Sequence, residues 1–203
     1  MKKMMLDLFA GFGGQSEDFL EHYDVLRIDN NPLLAEVPRM SIMDIENLEP
    51  HVAWPWAQGS PQIEYIHASP PCHAFSLGFH APKAVASRSG ESYEPCTKLV
   101  EKAKEIIDKL QPRFWSIENV RGSIKHLRPI LGEPTLIVGP YVYWGRFPPV
   151  LITAADVPNK STKDKRHSPL RSNYRALIPL ELSKAFRHAI DTQTRLNDQV
   201  SRW

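Results

Sequence analysis

Through the first half of the chain, short apolar runs alternate with polar stretches of helical spacing, a pattern that predicts a parallel sheet flanked by helices. Residues 4–9 read as a first strand, 15–22 as a helix and 24–28 as a second strand. A third strand is expected at 39–42, after a helical signal interrupted by Pro32 and Pro38. Residues 63–68 are a fourth. Leu99, Ala103, Ile106, Ile107 and Leu110 recur at helical spacing within 95–110, and 114–117 then read as a fifth strand. A closing helix is expected over 179–190, packed back on the sheet, with the polar tail from Thr192 loosely ordered. The expected fold class is α/β, doubly wound and Rossmann-like.

Two stretches carry little apolar content. Residues 80–94 include Lys83 and Arg88 and read as a mobile flap. Residues 156–172 set Lys160, Lys163, Lys165, Arg166 and Arg171 against Asp156 and Asp164, an excess of three positive charges that could touch phosphate. A solvated loop accounts for either equally simply. With 203 residues there is room for one substantial core, so residues 1–203 are read as one domain. The formal net charge of +2 confines any basic footprint to such local segments. No window reaches the roughly 18 apolar residues of a membrane span. The opening MKKMMLDLFAGFGG has no apolar run ending in a cleavage site, and two cysteines suggest neither a disulfide framework nor a zinc site. A reducing, cytoplasmic setting is expected, with no metal.

Candidate chemistry gathers at the predicted strand ends. In DLFAGFGG, Gly11, Gly13 and Gly14 let the chain turn sharply and approach a ligand, or merely make a tight turn. Ser16 stands where a dinucleotide fingerprint would have its third glycine, which disfavours a nicotinamide-dependent dehydrogenase. Asp29 can accept from ribose hydroxyls or form an Asp-Asn turn; Asp44 can accept from an adenine amino group or cap a helix. In SPPC (residues 69–72) two prolines stiffen the backbone before Cys72, presenting the thiol as a nucleophile at the carboxyl edge of the sheet. Cys96 has no such mounting and is expected to be inert core packing. The run SIENV puts Glu118 and Asn119 at the same edge. A carboxyl group in apolar surroundings is expected to hold its proton more tightly, which suits a proton donor; the alternative is an ion pair, with Asn119 capping the next helix.

DLFAGFGG, SPPCHAFS and ENVRG, in that order and at strand spacing, resemble the cytosine-5 DNA methyltransferase family, and RALIPLELSKAFRHAI resembles the closing region of its small, often phage-borne members. The resemblance implies an S-adenosylmethionine-dependent methyltransferase fold. Phe9, Ala10, Gly11, Gly13, Gly14, Asp29, Asn30, Asp44 and Ser69 would then hold the cofactor. Cys72 would attack carbon 6 of a flipped cytosine, with Glu118 at ring nitrogen 3 and Asn119 and Arg146 completing the catalytic set. Pro71, His73, Ser76, Lys83 and Arg88 would face DNA, with the loop at 80–94 closing over the base. Three departures stand out. His73 replaces the usual glutamine, the arginine-rich motif is reduced to YWGRFPP, and residues 150–172 are too few to read several base pairs. Low or partner-supplied sequence specificity is therefore expected, in the cytoplasm of a host cell if the chain is phage-encoded. The same chemistry on a free cytosine nucleotide or RNA, or a non-catalytic cofactor- or DNA-binding subunit, are the alternatives.

Overall fold

A computed structural model describes residues 2–49, 63–75, 82–158 and 167–200; for 83, 84 and 194–200 it describes the backbone alone. Seven strands form one sheet: β1 (Lys3–Leu8), β2 (Tyr23–Asp29), β3 (Met40–Ile42), β4 (Ile63–Ala68), β5 (Phe114–Val120), β6 (Leu136–Val138) and β7 (Tyr141–Arg146), in the order β3-β2-β1-β4-β5-β7-β6. From β3 to β5 every pairing is parallel, whereas β7 runs antiparallel to both neighbours. The chain leaves β1 toward β2 and β3, and leaves β4 toward β5. The loops after β1 and β4 therefore diverge and open a crevice at the carboxyl edge, where ligands bind in sheets of this kind.

Each face of the sheet has its own cover. On one, Leu6, Leu8, Ile66, Ala68 and Ile117 meet Ala103, Ile106 and Ile107 of a helix at Lys98–Leu110. On the other, Met5, Tyr65 and Tyr143 meet Leu182, Phe186 and Ile190, spaced four apart on a long helix at Leu180–Val200. Numbered along the chain, the helices are α1 (Pro82–Ser89), α2 (Lys98–Leu110), α3 (Ile124–Leu131), α4 (Arg171–Ala176) and α5 (Leu180–Val200). Phe186 is fully buried, 4.7 Å from the Tyr143 ring and 5.0 Å from Phe147.

Several expectations change. Residues 15–22 hold no α-helix, only a 3₁₀ turn at Glu17–Phe19. Ser183 Oγ donates to the Gln15 carbonyl at 2.7 Å and accepts from the Asp18 amide at 3.0 Å, so α5 takes the backbone groups that a local helix would have paired. The tail from Thr192 continues α5 to Val200 instead of fraying. Residues 82–89 of the expected flap are helical. The sequence reading also missed α3, which carries Pro129 inside it, and the β6–β7 hairpin, whose buried run Tyr141–Trp144 lacks the in–out alternation of a half-exposed strand.

Candidate active site

The loop after β1 is tied down from inside the protein. Ala10 N donates to the Ile28 carbonyl at 3.0 Å, and Gly11 N donates to Asp29 Oδ2 at 2.9 Å. Asp29 Oδ1 accepts from Asn31 N at 3.0 Å, so the Asp-Asn turn is formed while each carboxylate oxygen keeps a second lone pair. Phe9 has φ of +56°, unusual for a residue with a Cβ, and Gly11 has φ of +54°. At Gly13 and Gly14 packing by itself demands glycine. A Cβ on Gly13 would stand 2.2 Å from the Arg27 guanidinium, and one on Gly14 would stand 2.3 Å from the Ile178 carbonyl.

Arg27 is fully buried and holds this loop together: Nε donates to Ser16 Oγ at 2.8 Å, and Nη2 donates to the Gly13 carbonyl at 3.0 Å and to Glu17 at 2.7 Å. Ser16 in turn donates to Asp7, whose carboxyl is raised to about 6 by burial, against the lowering pull of the Ser16 hydrogen bond and of Arg27. Sequence reasoning missed Arg27; a charged residue within the otherwise apolar strand core VLRI was the available signal. Asn30 is exposed beside Asp29. Asp44 caps the turn at Ile45–Asn47, accepting from Glu46 N and Asn47 Nδ2, each at 3.0 Å.

The turn after β4 meets the end of β5. Ser69 N donates to the Leu8 carbonyl at 3.0 Å, prolonging the β1–β4 pairing. Pro71 is exposed, Cys72 half-buried, and exposed His73 opens a 3₁₀ turn whose Phe75 anchors it in the core. Two links clamp this turn to β5: Asn119 Nδ2 donates to the Pro70 carbonyl at 3.0 Å, and Ser69 Oγ donates to Glu118 Oε2 at 3.0 Å. Cys72 and Glu118 thus share one edge. Asn119 does not cap the following helix; its Oδ1 accepts from Val120 N at 2.9 Å. Ser69, expected at the cofactor, has its hydroxyl engaged by Glu118 and by His67 Nε2 at 3.0 Å. His67 is wholly buried and burial pushes its imidazole down to about 3.

Other expected residues lie elsewhere. Arg146 is paired with Trp115 at the amino end of β5, three residues from Glu118 in register, and donates to the Pro112 carbonyl at 2.6 Å. The reversal of β7 carries it to the opposite edge, about 10 Å from the Cys72 side. Arg88 is exposed near the end of α1, Ser76 lies outside the described residues, and for Lys83 only the backbone is described. Lys160, Lys163, Lys165 and Arg166 also lie outside the described residues. Cys96 is exposed, contrary to the core position expected. Among the described residues no group of three or more His, Cys, Asp or Glu could hold a metal ion, and no helix is long and apolar enough to cross a membrane.

A doubly wound sheet with a glycine-rich loop on one side of its switch point and, on the other, the Cys72 turn tied to the end of β5 defines the class as an α/β scaffold that binds ligands at its carboxyl edge. The model of the C-5 cytosine-specific DNA methylase family matches residues 3–129, well over half of the chain and every motif up to ENV. The chain belongs to the C-5 cytosine-specific DNA methylase family, and its fold is the Rossmann-like S-adenosylmethionine-dependent methyltransferase fold. Among solved structures the chain is similar to an E. coli protein described as a DNA modification methyltransferase encoded within a prophage, at 19% identity and a TM-score of 0.48. The match covers 71% of this chain and 47% of that one, so the chain spans about half the length of that relative. Comparison with curated proteins found no match.

Proposed function

We propose that this chain transfers a methyl group from S-adenosylmethionine to carbon 5 of cytosine in DNA, through a covalent adduct on Cys72. The observation that carries this reading is the double clamp, Asn119 to Pro70 and Ser69 to Glu118, which puts a thiol and a carboxyl on one edge at the switch point. Cys72 adds to carbon 6 of the ring while Glu118 holds a proton at ring nitrogen 3. Carbon 5 becomes electron-rich enough to take the methyl group that the cofactor would supply as it leaves as the neutral thioether; loss of the carbon 5 proton and departure of Cys72 then restore the ring. A stacked base hides carbon 6, so the cytosine is flipped out at a cost of a few kcal/mol.

The residues fit the cofactor of this family, which supplies an electrophilic methyl group when bound. Asp29, an acceptor with lone pairs to spare at the end of β2, suits ribose hydroxyls; exposed Asp44 suits an amino group; and the loop from Phe9 to Gly14 is bonded to Asp29 through Gly11 N. In this reading residues 1–203 act as one catalytic domain in the cytoplasm. Residues 80–94 close over the base, Pro71, His73 and Arg88 face the nucleic acid, and the basic run at 156–172 stands in place of a recognition domain.

Transfer of tritiated methyl groups to duplex DNA, single-stranded DNA, RNA and dCMP tests the proposal. DNA should be labelled by the native protein, and Cys72→Ala should label at least about 1,000-fold less, since the nucleophile itself is gone. DNA containing 5-fluorocytosine should be trapped as a stable adduct. Labelling by Cys72→Ala at the native rate, or labelling of RNA or dCMP alone, overturns the reading.

A further inference from the structure

A chain of hydrogen bonds runs from the core to Glu118. Tyr65 OH and Ser116 Oγ are 2.6 Å apart, Ser116 Oγ and His67 Nδ1 2.7 Å, His67 Nε2 and Ser69 Oγ 3.0 Å, and Ser69 Oγ donates to Glu118 Oε2 at 3.0 Å. Tyr65, His67 and Ser116 have no exposure to solvent. The direction of the chain follows from donor counting. Ser69 has one proton and gives it to Glu118, so its oxygen accepts from His67 Nε2–H. A neutral imidazole carries one N–H, which leaves Nδ1 bare to accept from Ser116; the Ser116 oxygen then accepts from the Tyr65 hydroxyl. Burial keeps His67 neutral, so a second ring proton does not compete.

We infer that Tyr65, Ser116, His67 and Ser69 form a one-directional positioning relay that keeps Glu118 Oε2 an acceptor, favouring the carboxylate and directing any proton that Glu118 takes up to its other oxygen. The relay gives the site a means to favour the ionised form of Glu118 through a hydrogen bond. Among the described residues, the other titratable groups near Glu118 include Cys72 on the turn after β4, Tyr143, directly across from it on β7, and Tyr141, two residues along; Asp7 on β1 reaches Tyr143 from the far side, and burial pushes both tyrosines up. The Tyr143 hydroxyl donates to Gln15 Oε1 at 3.2 Å, off this path. The inference rests on the reading of Glu118 as the acid of the reaction, but its physical content does not need turnover to be seen.

The test uses the whole chain without substrate. Nitrogen-15 NMR of the histidines, with His67→Gln to assign the signal, should show His67 as the Nε2–H tautomer with a bare Nδ1. Carbon-13 titration of the Glu118 carboxyl should move up by about one pH unit in Ser69→Ala, because the hydrogen bond to the ionised form is lost. His67→Gln, which keeps a donor toward Ser69, should move it less than His67→Leu. In methyl-transfer assays on DNA the alkaline limb of the pH profile should move up with it, whereas a merely structural role would lower the rate at every pH. An Nδ1–H tautomer, or an unmoved Glu118 titration in Ser69→Ala, overturns the relay. Absent transfer to DNA with both NMR results as expected would overturn the proposed function and leave the relay standing.

Discussion

Asn119 and Glu118 are neighbours on β5, yet they do different work. The Glu118 carboxyl is held by Ser69 at the edge where chemistry is proposed, while both ends of the Asn119 amide are taken up by backbone, at Pro70 and Val120. Asn119→Ala leaves a buried carbonyl and amide without partners, which costs about 2 kcal/mol. Because the Pro70 carbonyl precedes Cys72 by two residues, methyl transfer should fall by about 100-fold as the thiol loses its placement. Asn119→Asp should do no better, since a carboxylate cannot donate to Pro70. Urea denaturation and single-turnover transfer measure both effects, and a variant that loses stability but not rate would separate Asn119 from the site. Arg146 makes the opposite case. On the far edge, Arg146→Ala should cost about 1 kcal/mol for the lost hydrogen bond to Pro112 and leave transfer within about twofold. A hundredfold loss would contradict its placement.

The element that ties sequence to site is the turn after β1. Its glycines read as room for a ligand, and Gly13 and Gly14 also make room for the protein itself, for the Arg27 side chain and for the backbone of Ile178 just before α5. Gly13→Ala combines an unfavourable backbone at φ of +74° with a clash against a buried guanidinium. It should destabilise by about 3 kcal/mol or more. In a double-mutant cycle with Arg27→Ala the two changes should be coupled by at least about 1 kcal/mol, because the clash disappears with its partner. Additive effects in thermal or urea unfolding would rule the contact out. The same neighbourhood explains the missing helix after β1: with α5 covering that face, one 3₁₀ turn suffices between β1 and β2.

At the scale of the whole molecule, two buried titratable groups pull the pH dependence of stability in opposite directions. Asp7 holds its proton more tightly folded than unfolded, about 6 against an ordinary 3.8. Its contribution is therefore complete below 3.8 and is lost as pH rises toward 6. His67 is depressed to about 3 from 6.5, so its contribution is complete above 6.5 and is lost as pH falls toward 3. Between pH 4 and 6 the two slopes, each about 1.4 kcal/mol per pH unit at most, offset one another. Relative to the native protein, Asp7→Asn should gain about 2–3 kcal/mol on going from pH 4 to pH 6, and His67→Gln should gain about as much on going from pH 6 to pH 4. Urea unfolding across that range reads both, and parallel curves for all three proteins would contradict the burial of these groups.

By itself the sequence determined the local turns and strand ends on which the proposed chemistry is mounted. Glycines after β1, prolines before Cys72 and a carboxylate closing β5 are local backbone statements, legible because turn chemistry and strand periodicity act within a few residues. The order of DLFAGFGG, SPPC and ENV carried the family for the same reason. Tertiary structure alone decided which of these groups meet. The bonds from Ser69 to Glu118 and from Asn119 to Pro70 each span 49 residues and depend on the register of β4 against β5. The edge that Arg146 occupies depends on the reversal of β7, and the reason for Gly13 on an arginine from the neighbouring strand. The His67 relay was invisible for a related cause: a histidine within a strand shows its type but not the two serines that reach it, and only the packed sheet brings them within hydrogen-bonding distance.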